Sequence, residues 1–269
     1  MSPWRPDHIE VRLGGIDTQY LWQHGGTLES WSVPLAESAA MPVDWSDALA
    51  RAAADLSTRG VRPGTRATLV LPGSIVRFQI VPWNESFITH SARSAYVREC
   101  FVEAYGPISR DWVLVASDAR FGSNALAAGL APTLLVAFDN WARELGIRIT
   151  SLQPALMAGF NRALGRLKRA TFWFVLNEDD RYTLLLIDQG APVYIRSVRH
   201  AEASLEILLE RAWQTIGRED GPCPVYWVDH AGHSAPAKHL GRWIVSEVFG
   251  ADRGAPARLP RLSAAGAAR

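Results

Sequence analysis

Apolar and polar residues alternate with period two along His8-Ile-Glu-Val-Arg-Leu13 and again from Thr18 to Gln23, with Gly14-Gly15 between them. That spacing puts one row of side chains inside and one outside, so it predicts two half-buried strands joined by a turn. His24-Gly25-Gly26 turns the chain again, and Thr27 to Val33 is a third strand of the same meander. At Pro42-Val-Asp44 the period becomes helical. Asp44 can cap the helix, Asp47 sits at its favoured N-terminal end, and Leu49 and Leu56 mark its apolar side up to Gly60. Arg66 to Leu71 then runs almost uninterruptedly apolar, as a strand inside a parallel sheet must.

Pro72-Gly73 leads into a strand over Ile75 to Val81, and after Pro82-Trp83-Asn84 a helix is expected from Ser86 to Tyr105. Its apolar side would carry Phe87, Ala92, Ala95, Tyr96, Cys100 and Phe101, and Gly106-Pro107 would stop it. Strands follow at Trp112 to Ser117 and Asn124 to Gly129. A helix opens on Pro132, a residue suited to a first helical turn, and closes at Gly146. Ile147 to Leu152 reads as a strand and Pro154 to Leu164 as a helix.

The opening pattern then returns. Thr171 to Leu176, Arg181 to Ile187 and Val193 to Val198 are three strands separated by Asn177-Glu-Asp-Asp180 and Asp188-Gln-Gly190. A helix over Glu202 to Ile216 and a strand at Val225 to Val228 complete it, and a last helix is expected over Ala237 to Val248. Two β-β-β-α-β units in one α/β chain form an internal repeat of structure with little repeat of sequence. The alternative is an α+β chain with two unrelated lobes. The repeat divides the chain into a first half (1–73 with 131–165), an inserted α+β subdomain (74–130), a second half (166–250) and a flexible, weakly basic tail (251–269).

Composition narrows the function classes. Of 269 residues 48% are hydrophobic and 20% charged, which suits a folded globular protein. Lys and Arg total 28 against 27 Asp and Glu, so the net charge of +1 argues against general nucleic-acid binding. Cys100 and Cys223 alone make neither a disulfide framework nor a zinc site, and they fit a reducing cytoplasm. No secretory leader is expected at the start. The uncharged stretch Phe121 to Phe138 contains too many helix breakers for a membrane span. The 11 tryptophans read first as core filling and only second as a binding surface.

Little in the chain demands catalysis. Asp229, His230, His233 and His239 could approach a metal, but Gly232 and Pro236 prevent one helix from presenting them together, so a solvated loop is preferred. Gly73-Ser74 is not a nucleophile elbow, Cys100 reads as core, and neither a P-loop nor a dinucleotide fingerprint occurs.

The order of elements resembles the actin-like (ribonuclease H-like) ATPase architecture. In local phrasing it is similar to PilM-type pilus assembly proteins and to the cytoplasmic domain of type II secretion protein L. The resemblance spans about residues 8–245. It is carried by Val11-Arg-Leu-Gly-Gly15, Thr68-Leu-Val-Leu-Pro-Gly73 running into Val76-Arg-Phe-Gln-Ile-Val-Pro82, Ala92-Arg-Ser-Ala-Tyr-Val-Arg-Glu99 and Tyr182-Thr-Leu-Leu-Leu-Ile-Asp-Gln-Gly190. It implies duplicated halves with an inserted subdomain and, in the members that bind ATP and Mg²⁺, two hairpin loops around the phosphates. Here those loops depart from the pattern. Gly14, Gly15 and Thr18 stand in the first without a preceding Asp, while the second places Asn177 where Asp is usual, ahead of Thr183. Glu178, Asp179 and Asp180 crowd the same loop, and like charges about 4 Å apart repel by about 4 kcal/mol at an effective dielectric near 20.

The expectation is therefore a non-catalytic scaffold without a cofactor, the alternative being an actin-like ATPase or sugar-kinase-like enzyme using Mg-ATP through Gly14, Gly15, Thr18, Asn177 and Thr183. The resemblance implies a cytoplasmic protein held at the inner membrane by the N-terminal cytoplasmic segment of a bitopic assembly protein. An assembly ATPase and a homodimer are further contacts it admits. The chain carries no membrane helix after its fold, which is expected to make it the soluble type. Phe78, Trp83, Phe87, Tyr96 and Trp112 are the candidate residues for a groove receiving the partner segment.

Overall fold

The computed structural model describes residues 7–35, 45–85, 89–218, 221–230 and 236–249. The predicted meander forms from β1 (His8–Leu13), β2 (Asp17–His24) and β3 (Thr27–Pro34), followed by α1 (Trp45–Thr58) and β4 (Arg66–Leu71). Ile9, Val11 and Leu13 face inward from β1 while its other residues stay half-exposed, which is the period-two rule realised. β4 is buried from Ala67 to Leu71, in keeping with its apolar run. β1 pairs antiparallel with β2 and parallel with β4.

The second unit repeats this with β9 (Phe172–Asn177), β10 (Arg181–Asp188), β11 (Ala191–Arg199), α5 (Leu205–Thr215) and β12 (Val225–Asp229). The first sheet runs β3-β2-β1-β4-β8, where β8 is Arg148–Pro154. The second contains the matching order β11-β10-β9-β12-β14, where β14 is Trp243–Glu247. In each, the third, second and first strands of the meander precede two parallel strands. Helix α4 (Ala155–Ala163) packs against β4, β8 and β9, so it bridges the two halves.

Between β4 and β8 the chain makes a separate antiparallel sheet, β5-β7-β6, from β5 (Arg77–Val81), β6 (Val113–Ala116) and β7 (Ala125–Leu130). Helix α2 (His90–Tyr105) connects β5 to β6, and α3 (Pro132–Glu144) follows β7. Thr89 caps α2 by accepting the Ala92 amide, so the helix begins later than its expected start at Ser86; residues 86–88 lie outside the described ones. Its buried face is Val97, Cys100 and Phe101, whereas Ala92 and Ala95 are exposed.

Three cores result. The largest joins both halves through Ile9, Leu69, Leu156, Phe174 and Leu185. The second packs α5 on its sheet around Trp173, Trp213 and Trp243, which places these tryptophans in the core rather than on a surface. A smaller one lies under α2.

The helix expected over Ala237 to Val248 does not form. β13 (His239–Leu240) and β14 pair there as a hairpin, turning at Gly241 with φ of +54°. β14 completes the parallel sheet beside β12, where Trp243 and Val245 are buried, and this tertiary pairing outweighs any helical preference. The expected tail, 251–269, lies outside the described residues. Among the described residues no helix is long and apolar enough to cross a membrane.

Candidate functional site

The two hairpins that the repeat generates face each other across the cleft between the halves. In the first, Gly14 N donates to Asp17 O at 2.9 Å, closing the turn so that the next two amides point outward. In the second, Glu178 N donates to Arg181 O at 2.9 Å and the side chains of Glu178 and Asp179 project across the cleft.

Asp179 meets the first hairpin directly. Its Oδ2 accepts Gly15 N at 2.6 Å and Ile16 N at 2.9 Å. Successive backbone amides of this kind are the standard receptor for a phosphate oxygen. Here a carboxylate oxygen of the same chain fills it. Space is tight at this contact: a Cβ on Gly14 would lie 2.4 Å from Asp17 O and 2.8 Å from Asp179 Oδ2, so glycine is required. Burial and the adjacent charge of Asp179 push the Asp17 carboxyl upward.

Glu178 makes a second crossing. Its carboxyl accepts Gly73 N at 2.9 and 3.2 Å and receives the Thr183 hydroxyl at 3.4 Å. Thr183 Oγ1 also lies 3.2 Å from Ser197 Oγ. Gly73 stands in the turn two residues after β4, with no room for a side chain: its Cβ would stand 2.7 Å from Glu178 Oε2. Burial pushes the Glu178 carboxyl up to about 7, opposed by the Gly73 amide and by Arg181.

The third wall is the end of β12. His230 N donates to Asn177 O at 2.9 Å, Asn177 Nδ2 donates to Asp229 Oδ1 at 2.8 Å, and Gln19 Nε2 reaches His230 O at 3.2 Å. Desolvation, reinforced by Arg12 and Arg162, lowers the His230 imidazole to about 3 and keeps it neutral.

What remains between these loops is a cavity of about 30 Å³, lined by Gly14, Gly15, Glu178, Asp179 and His230 among others. That holds about two waters, whereas a site for a nucleotide-sized ligand needs about 300 Å³ or more. A phosphate oxygen aimed at the Gly15 amide would collide with Asp179. The residues present do not fit Mg-ATP in this arrangement. Among the described residues no group of three or more His, Cys, Asp or Glu is placed to hold a metal ion.

The five expected nucleotide-loop residues are thus only partly assembled. Gly14 and Gly15 line the cavity, while Thr18, Asn177 and Thr183 are buried in strands behind it. The pooled repulsion expected from the acidic triplet resolves into three different roles. Asp180 pairs with Arg181 at 2.8 Å, Glu178 is buried against Gly73, and Asp179 occupies the hairpin amides. Obstruction in this arrangement comes first from Asp179's position. Of the suggested metal ligands, Asp229 holds Asn177, His230 lines the cleft, His239 lies on β13, and His233 is outside the described residues.

The expected partner residues that are described fall on more than one core and cavity. Phe78 is buried in the main core and borders the cavity between β5 and β11, and Tyr96 and Trp112 pack on the small core under α2. Trp83 meets Phe121, itself 89% exposed, at 4.7 Å between ring centroids. Phe87 lies outside the described residues. The cavity between β5 and β11, of about 360 Å³, is also lined by Arg77, Arg181, Arg196 and Arg199, and these arginines have no local sequence signature.

No protein-family model and no curated protein matches this sequence. Its structure, however, is similar to several solved ones. The cytoplasmic domain of EpsL, an inner-membrane component of the type II secretion system of Vibrio cholerae, matches with a TM-score of 0.56 at 14% identity, covering 89% of this chain and 90% of that one. The PilM-PilN type IV pilus biogenesis complex matches with a TM-score of 0.60 at 15% identity, over 83% and 81% of the two chains. A Bacteroides thetaiotaomicron protein of unknown function with an actin-like ATPase fold matches at 0.53 and 9% identity, over 84% and 83%. With two halves of matching strand order, an inserted three-stranded sheet and these neighbours, the chain has the actin-like ATPase fold.

Proposed function

We propose that the protein is a non-catalytic scaffold of a pilus or type II secretion-like assembly platform at the cytoplasmic face of an inner membrane. It binds the N-terminal cytoplasmic segment of a bitopic membrane partner and uses no nucleotide. The observation that carries this reading is Asp179 Oδ2 seated on the Gly15 and Ile16 amides, 2.6 and 2.9 Å away, where a phosphate would otherwise be held. The small cleft and the buried Glu178–Gly73 contact support it, because both tie the halves together without a ligand. The fold it shares with the EpsL cytoplasmic domain and with the PilM-PilN complex supports the platform role.

Two measurements test it. In a thermal-unfolding titration the midpoint is expected to stay fixed as Mg-ATP or Mg-ADP is added, since a ligand that binds the native state alone must raise it. The cytoplasmic segment of a bitopic membrane protein encoded beside this one is expected to co-purify with it. A rise of several degrees with Mg-ATP would instead establish a nucleotide-binding actin-like enzyme.

A further inference from the structure

The inserted sheet runs β5-β7-β6, so β6 is paired on one side alone. Ser117 N donates to Leu126 O at 2.8 Å, which sets the alternation of the ladder between β6 and β7. Val113 and Val115 therefore turn their backbone groups toward β7, while Leu114 and Ala116 turn theirs to the outer side. Side chains alternate too. Leu114 and Ala116 pack on the small core under α2, whereas Val113 and Val115 point to the other face and are 45% and 68% exposed.

Exposed strand edges are ordinarily guarded by a charge, a proline or a bulge on the strand itself. β6 reads Val-Leu-Val-Ala and keeps a regular register with β7, so it carries none of these. Guards stand only at its ends. Arg98 on α2 donates to the carbonyls of Arg110 and Trp112, and Arg93 donates to Ser117 O at 2.6 Å. Among the described residues no strand takes the outward N–H and C=O groups of Leu114 and Ala116.

We infer that β6 pairs antiparallel with β6 of a second copy of this chain, joining the two inserted sheets into one sheet of six strands. This goes beyond the platform reading, because it concerns the chain with itself. A two-fold pair centred on Leu114 lets the two Leu114 residues exchange N–H···O bonds, and each Ala116 amide reach the opposite Trp112 carbonyl, which can accept a second donor. The same register sets Val113 against Val115 of the second copy, twice, so the exposed valines of both copies cover one another. It also brings Arg110, just before the strand, opposite Asp118, just after it. Both residues are exposed, and among the described residues Asp118 has one ion pair, to Arg93 at 4.0 Å. A pair centred on Val115 would instead oppose Arg110 to Arg120, and one centred on Val113 would leave Asp118 against Ile108. The strand thus carries both halves of its own charge complement, and that selects a second copy as its occupant. So short an interface is weak, and the dimer forms by mass action as concentration rises.

The test is sedimentation velocity on the full chain from about 1 to 300 μM, where the sedimentation coefficient rises from that of a monomer toward that of a dimer. Val115→Lys puts a charge on the open edge at an exposed position, so this variant stays monomeric throughout with an unchanged melting temperature. Asp118→Arg sets like charges opposite at both ends of the pair and weakens dimerisation about tenfold. The exchanged variant Arg110→Asp/Asp118→Arg restores it. Mild oxidation reads the register directly, since Cys100 and Cys223 are buried. A disulfide-linked dimer forms when Val113→Cys and Val115→Cys chains are mixed, and far less with either alone. A chain that is monomeric at the highest concentration overturns the inference. So does a dimer that survives Val115→Lys, or cross-linking that is equal in the mixture and in the single variants.

Discussion

Glu178 is where a single side chain reports most about the cleft. Its carboxyl stands at about 7 in the folded chain against an ordinary 4.5, so the native state binds its proton more tightly than the unfolded state does. The stability this contributes is fully present below pH 4.5, is lost as pH rises, and is gone above about pH 7. A shift of this size corresponds to about 3 kcal/mol. His230 works in the opposite direction: held near 3 from an ordinary 6.5, it loses stability for the protein as pH falls below 6.5. The two effects overlap, so wild-type stability alone does not separate them, whereas Glu178→Gln does. Gln keeps the shape of the neutral carboxyl and does not titrate. Urea denaturation across pH 4.5 to 8 is expected to show the variant gaining on wild type by about 3 kcal/mol toward the alkaline end. A difference that stays flat would mean that Glu178 is ionised and solvated.

At the scale of elements, the meanders and the apolar β4 were legible because period-two alternation and continuous burial leave local marks on a sequence. β14 was not. Ile244 is an exposed apolar residue between buried Trp243 and Val245, so the alternation is hidden within an apolar run and reads as a helix face. The glycine at 241 is the one local mark of the two-residue hairpin turn. The candidate site divides in the same way. Its glycine hairpins announce themselves, but the acceptor of the Gly15 amide lies 164 residues away at Asp179, and no local pattern encodes that pairing. The arginine cavity likewise joins Arg77 on β5 to Arg196 and Arg199 on β11, two strand ends that meet only in the folded chain. Packing of α5 is the element-scale quantity open to test. Trp213, 1% exposed, lies 6.4 Å from the ring of Trp173 and 5.3 Å from that of Trp243. Trp213→Ala is expected to cost about 3–5 kcal/mol in urea denaturation. A loss under about 1 kcal/mol would show that this core closes around the gap.

For the whole molecule, the question is what sets the angle between the halves when no ligand spans them. Two carboxylates cross the cleft: Asp179 to Gly15 and Ile16, and Glu178 to Gly73. Each connects a loop of the second sheet to backbone of the first, so each resists opening. Asp179→Ala removes one and leaves two amides without their charged acceptor, a loss of about 1–3 kcal/mol for a partly exposed contact. The fold itself is expected to survive, since the main core joins the halves independently of this contact. Hydrogen exchange should then quicken at residues 14–16 and 177–181 and stay slow in β4 and β9, the signature of local rather than global opening. The same variant exposes an empty anion receptor, so pyrophosphate should raise its melting temperature while leaving wild type unmoved. Pyrophosphate stabilising both alike would mean that Asp179 yields to phosphate readily, and the carboxylate would then be a gate in a working nucleotide cleft instead of a permanent clasp.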